Sequence, residues 1–128
     1  MEEIKFRIQR RNNLNTIYVD PKRQEKSNAT HDYQIECLKK TEDGLIDYGV
    51  KFSISFQNGA RHEPDCKVGV LDSDLLEIVR HRLHGFQSGE YATRENEMAL
   101  THVEQALMWL AKRADDRDER GVLGTMKK

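Results

Sequence analysis

The sequence predicts an α+β fold: a small N-terminal antiparallel β region, then a C-terminal antiparallel helical hairpin with a long second helix. Three observations predict it. Apolar and polar residues alternate in the first half, most cleanly at Phe52, Ile54 and Phe56. In the second half the apolar spacing lengthens to three and four, at Leu75, Ile78, Val79, Leu83 and Phe86, and again at Ala99, Val103, Ala106, Leu110 and Ala114. Only about six residues separate these two helical stretches, so the helices must run antiparallel. A chain of 128 residues fits one compact unit, with a β-rich region at 1–65 and the hairpin at 66–128.

The elements follow in order. Residues 5–10 alternate, with Phe6 and Ile8 on one side and Arg7 and Gln9 on the other, which reads as a half-buried strand. RRNNLN at 10–15 reads as a polar turn, and Ile17, Tyr18 and Val19 as a short β-prone run. Residues 20–32 are polar and nearly free of large apolar side chains, hence a loop. Residues 32–39 and 50–57 are the clearest strands, an antiparallel pair separated by the TEDG turn. Asn58 and Gly59 supply the next turn, and Pro64 confines any strand near it to an edge.

Asp72 or Ser73 caps the first helix. Thr93 caps the second, with Asn96 three positions on, and Gly121 suits the residue just past its end. At 1.5 Å per residue, roughly 14 residues span about 21 Å and roughly 27 span about 40 Å. The second helix therefore overhangs the first. Its apolar line runs on into Arg113 and Arg117 at the same azimuth, a core giving way to a pocket, with Trp109 further round and His102 on one flank. Arginine suits such a pocket because its planar fork grips phosphate by two parallel bonds. The ADDRDER run also fits an ion-paired, solvated helix face. After it, Gly124 and Thr125 offer backbone and hydroxyl donors; a glycine cap with a loose tail is the other reading.

Several function classes are disfavoured. A net charge of −1, from 21 basic and 22 acidic residues, is not that of a binder of DNA or RNA polymers. Cys37 and Cys66 have no CxxC spacing. His81 and His84 share a helix but lack an acidic or cysteine companion, so no metal is expected, and no cofactor. No GxxxxGKS/T loop, HExxH pair, GxSxG elbow or GxGxxG turn is present, so no enzyme is expected. No apolar run reaches the roughly 18 residues of a membrane span, and no signal peptide is visible, so a cytoplasmic setting is expected.

Three segments carry a resemblance: RENEMAL at 94–100, THVEQALMWL at 101–110 and RGVLGT at 120–125. Together, over 71–125, they resemble the helical hairpin shared by phage anti-CBASS and anti-Thoeris signal-sequestering proteins. The resemblance implies a non-enzymatic sponge in the host bacterial cytoplasm. Such a protein binds cyclic nucleotide second messengers (cyclic oligonucleotides or cyclic ADP-ribose variants) without cleaving them. It also implies a homo-oligomer, a dimer or hexamer, with pockets between protomers. Ala99, His102, Val103, Ala106, Trp109 and Leu110 would then face another copy. Arg113, Arg117 and Arg120 would converge from several protomers, joined by Gly124 and Thr125. At the hairpin turn, Phe86 and Tyr91 are the candidate stacking groups, and Arg82 and Arg94 the candidate phosphate partners. The alternative is a non-catalytic, oligomeric protein-interaction module of phage origin.

Overall fold

The computed structural model describes residues 1–9, 14–24, 27–44 and 49–128. Its elements are β1 (Glu2–Glu3), β2 (Asn15–Val19), β3 (Asp32–Cys37), β4 (Val50–Ser55), α1 (Asp72–Gln87) and α2 (Arg94–Glu119). The predicted α+β class is the observed one. The chain divides into two compact units, Met1–Asn58 and Gly59–Lys128.

The first unit is a four-stranded meander in the order β1-β2-β3-β4, antiparallel throughout. Ile17 pairs with Ile35 and Val19 with Tyr33, while Tyr33 pairs with Ile54 and Ile35 with Phe52. Residues two apart share a face. The register therefore gathers Ile17, Val19, Tyr33, Ile35, Phe52 and Ile54 on one side, and leaves Thr16, Tyr18, Gln34, Glu36, Lys51 and Ser53 on the other. Lys51 and Glu36, cross-strand partners on the polar side, lie 3.8 Å apart. Tyr33 and Phe56 meet edge to face with centroids 5.5 Å apart.

Residues 5–9 do not form the strand that Phe6 and Ile8 predict. The first strand is Glu2–Glu3, and its pairing ends where Ile4 N–H donates to the Ile17 carbonyl at 2.8 Å. Phe6 then adopts φ 61°, which breaks the extended backbone. Both side chains are left in solvent. Arg10, and most of the turn read at 10–15, lie outside the described residues.

The second unit contains the hairpin. Helix α1 starts one or two residues earlier than a cap at Asp72 or Ser73 requires. Leu71 precedes the first turn, and Asp74 reaches back to accept from its N–H at 2.9 Å. Asp72 and Asp74 both sit in that turn, where the helix dipole favours negative charge. Along α1 the protected positions are Ser73, Leu76, Arg80, Leu83 and Gln87, three and four apart, with Leu75 beside them. Ile78, Val79 and Phe86, counted in the same apolar stripe from sequence, are instead exposed. The helix carries apolar groups on two faces, and one neighbouring helix covers only one of them.

Facing that ladder, α2 protects Leu100, Val103, Leu107 and Leu110, and Ala114 and Arg117 continue the same line beyond it, again three and four apart. Leu100, at 8% exposure, is the one buried apolar residue among the described residues. The ends of the hairpin are tied by polar bonds. Gln87 Nε2 donates to the Thr93 carbonyl and Gln87 Oε1 accepts from Thr93 N–H, both at 3.0 Å. Midway, Arg80 Nε donates to Glu104 Oε2 at 2.8 Å, and His84 Nε2 lies 3.5 Å from the same oxygen.

Candidate ligand-binding groove

The frame of the site is α2. Thr93 Oγ1 accepts from Asn96 N–H at 3.0 Å, the cap that the sequence predicts. With 26 residues against 16 in α1, α2 is about 39 Å long against about 24 Å, so its C-terminal half outruns its neighbour. The far end closes in a Schellman motif. Val122 N–H donates to the Arg117 carbonyl at 3.0 Å and Gly121 N–H to the Asp118 carbonyl at 2.9 Å, with Gly121 at φ 71°.

On this overhanging half, Trp109, Lys112, Arg113, Asp116, Arg117 and Arg120 line an open groove of about 300 Å³. Their spacing of three and four places them along one strip of the helix. The strip is strongly positive. Lys112, Arg113, Arg117 and Arg120 stand against the single carboxylate of Asp116, which lies 3.3 Å from Lys112 Nζ. Trp109, 71% exposed, supplies a broad flat face beside the cations. Arg113 makes no hydrogen bond or ion pair among the described residues, so its fork is available to an anion. An indole flanked by guanidinium groups offers stacking to a heteroaromatic ring and paired donors to phosphoryl oxygens.

Two of these guanidinium groups are engaged by the chain itself. Arg117 Nη2 donates to the carbonyls of Val122, Thr125 and Lys127 at 3.0, 3.0 and 2.8 Å. Arg120 Nη1 donates to the main-chain oxygen of Lys128 at 2.9 Å. Thr125 turns its hydroxyl to the Val122 carbonyl at 2.6 Å. Gly124 packs on His62, whose N–H donates to its carbonyl at 3.0 Å. With φ 75° and a Cβ position 2.6 Å from the His62 ring, only glycine fits there without displacement.

The other candidates lie at the opposite end of the hairpin. Arg82 is stacked over Phe86, its guanidinium carbon 5.6 Å from the ring centroid. Tyr91 is 70% exposed in the turn, and Arg94 opens α2. From Arg94 to Arg113 the helix rises about 28 Å. A single chain therefore gathers Arg113, Arg117 and Arg120 but keeps Arg82, Phe86, Tyr91 and Arg94 apart from them. Among the predicted contact residues, Val103, Ala106 and Leu110 are half-buried within the chain, while Ala99, His102 and Trp109 are exposed. His102 Nδ1 lies 3.2 Å from Gln105 Oε1. Lys112 and Asp116 were not singled out from sequence. Their positions three and seven after Trp109 are the signal that places them in the groove.

Among the described residues no group of three His, Cys, Asp or Glu side chains is placed to hold a metal ion. No helix among them is long and apolar enough to cross a membrane.

A short helix folded on a long one, with the overhang presenting an aromatic and basic strip, defines a helical-hairpin domain. The Acb2/Tad1 hairpin domain model matches residues 49–115, and the chain belongs to that family. The match takes in β4, α1 and most of α2, and stops just before Asp116, Arg117 and Arg120. The chain is also 46% identical over 76 residues to Thoeris anti-defense 1 of Bacillus phage SBSphiJ7. That alignment covers 59% of this chain and 53% of the relative, so the chain spans about half the length of the relative it matches.

Proposed function

We propose that this protein is a phage anti-defence protein that binds cyclic nucleotide immune signals and sequesters them without cleaving them, acting in the host bacterial cytoplasm. Cyclic oligonucleotides and cyclic ADP-ribose variants are the candidate signals. The reading is carried by the groove on α2, where Trp109 stands beside Lys112, Arg113, Arg117 and Arg120. Every such signal combines flat bases with closely spaced phosphates, and this strip offers a ring and cationic forks at matching reach. The hairpin family and the anti-Thoeris relative support it.

In this proposal the protein works as a homo-oligomer, a dimer or hexamer. Another copy would bring Arg82, Phe86, Tyr91 and Arg94 toward a groove that they do not reach within one chain. Sequestration then depends on affinity alone, with no bond made or broken.

Isothermal titration against a panel of cyclic di- and trinucleotides and cyclic ADP-ribose variants tests the reading. We expect saturable binding of at least one, with the ligand recovered intact. Arg113→Ala should weaken it by about tenfold or more, the loss of one charge-assisted pair. No binding across the panel would sink the proposal.

A second reading is a protein-interaction module. It is favoured by Ile78, Val79 and Phe86, which leave an apolar strip of α1 at 58%, 42% and 40% exposure. It predicts a stable protein partner and no small-molecule affinity.

A further inference from the structure

We propose that residues 122–128 form an anion-displaceable strap on the basic groove. They hold the Arg117 and Arg120 guanidinium groups by main-chain oxygens, and a phosphoryl group entering the groove takes those donors and releases the segment. The inference rests on the groove being an anion site, and adds that the site is partly self-occupied when empty of ligand.

The bonding pattern carries it. A guanidinium nitrogen has two protons, yet Arg117 Nη2 is shared among three carbonyls, those of Val122, Thr125 and Lys127. Arg120 Nη1 is committed to Lys128. All four acceptors lie in one short segment, and both arginines line the groove. The three carbonyls on Arg117 are neutral amide oxygens, the weaker partners of a guanidinium; an oxyanion makes bonds roughly twice as strong. A pyrophosphate or phosphodiester therefore outcompetes the strap for the same protons.

The strap is shaped to dock and also to leave. Thr125 N–H and Oγ1 both donate to the Val122 carbonyl, and Lys127 N–H donates to Thr125 Oγ1, which folds the segment into a compact turn. The Schellman motif at Gly121 fixes where it starts, and the bond from His62 N–H to the Gly124 carbonyl pins its middle. Of its large apolar side chains only Val122, where the strap begins, is half-buried, while Leu123 and Met126 further along stay 46% and 39% exposed. Polar bonds at the surface exchange readily with competing acceptors.

Gly124→Ala is the discriminating variant. It adds no charge and touches neither arginine, but sets a methyl group 2.6 Å from the His62 ring at a left-handed φ. The probe is inorganic pyrophosphate, with binding measured by calorimetry and amide deuterium exchange followed across 122–128. We expect pyrophosphate to speed exchange of those amides in the wild-type chain. Gly124→Ala should bind pyrophosphate about fivefold tighter, the factor that one net hydrogen bond represents. Slower exchange on binding, or an equal or weaker affinity in the variant, would overturn the strap. Arg113→Ala separates the two ideas, because Arg113 lies in the groove and takes no part in the strap. It should lose pyrophosphate affinity with the exchange of 122–128 in free protein unchanged. Failure of all forms to bind pyrophosphate would sink strap and groove together. Binding insensitive to Gly124→Ala, with no change in exchange, would sink the strap alone.

Discussion

Arg80 on α1 and Glu104 on α2 meet at 2.8 Å, a contact between residues 24 apart in the chain that ties the two helices at mid-seam. The Arg80 hydrogen bond, helped by His84, holds the Glu104 carboxyl below its usual value of 4.5. The folded value is thus lower than the unfolded one. The pair stabilises fully above the unfolded value, and that contribution is lost as pH falls through the folded one. We expect urea midpoints to fall as the pH drops below the ordinary carboxyl value of 4.5, and Glu104→Gln to flatten that dependence by removing this component. Equal pH slopes in wild type and variant would contradict it. High salt should weaken the tie, since both groups are partly exposed.

Gln87 and Thr93 bond to each other twice across the interhelical turn. Gln87→Ala removes both bonds and should lower unfolding stability by about 1–2 kcal/mol, read from urea titration. Thr93→Ala keeps the backbone partners but loses the bond to Asn96 N–H, and should cost about 1 kcal/mol. Thr93→Ser should be close to neutral.

Gly121 takes φ 71° at the end of α2, and nothing lies within 4 Å of the Cβ position there. The penalty for Gly121→Ala is therefore conformational, with no steric part, and should be about 1–2 kcal/mol. Gly121→Asn should lose less, because asparagine tolerates the left-handed region. Thermal melts of the two variants give the ranking, and a reversed order would contradict the Schellman assignment.

Trp109 is the sole tryptophan in the sequence, so the protein's red-edge fluorescence reports on the groove alone. In the single chain its ring is 71% exposed. If another copy covers it, emission will lie to the blue at high concentration and move to the red on dilution, in step with the mass from sedimentation. Trp109→Glu should shift that mass toward the single subunit. Emission independent of concentration, with a constant single-subunit mass, would remove the oligomeric part of the proposal.

Much of the fold was legible because the responsible patterns are local. Phe52 and Ile54 alternate and lie in β4, the Thr93 hydroxyl sits where α2 must be capped, and Gly121 sits where it must stop. Phe6 and Ile8 alternate just as plainly but lie off the sheet, because alternation says nothing of whether a neighbouring strand has bonds left to give. In α1, Ile78 and Val79 repeat at helical spacing yet face away from the seam. Periodicity counts apolar faces and cannot say which one the partner helix takes. The basic strip was half legible: Arg113 and Arg117 follow from their azimuth, and Lys112 and Asp116 follow only once Trp109 is taken as the origin. The hold of Val122, Thr125 and Lys127 on Arg117 had no signal in the sequence, because it is made through main-chain oxygens that every residue type carries.

Among the described residues only Leu100 approaches a dry interior, and this has a consequence for persistence. If the groove binds as proposed, a molecule with so little dry interior would draw an unusual share of its stability from what it holds. Each bound guest would deepen the native well by mass action, so a loaded copy would outlive an idle one wherever proteases patrol. Turnover would then clear vacant copies first, and the surviving pool would be enriched in those already occupied.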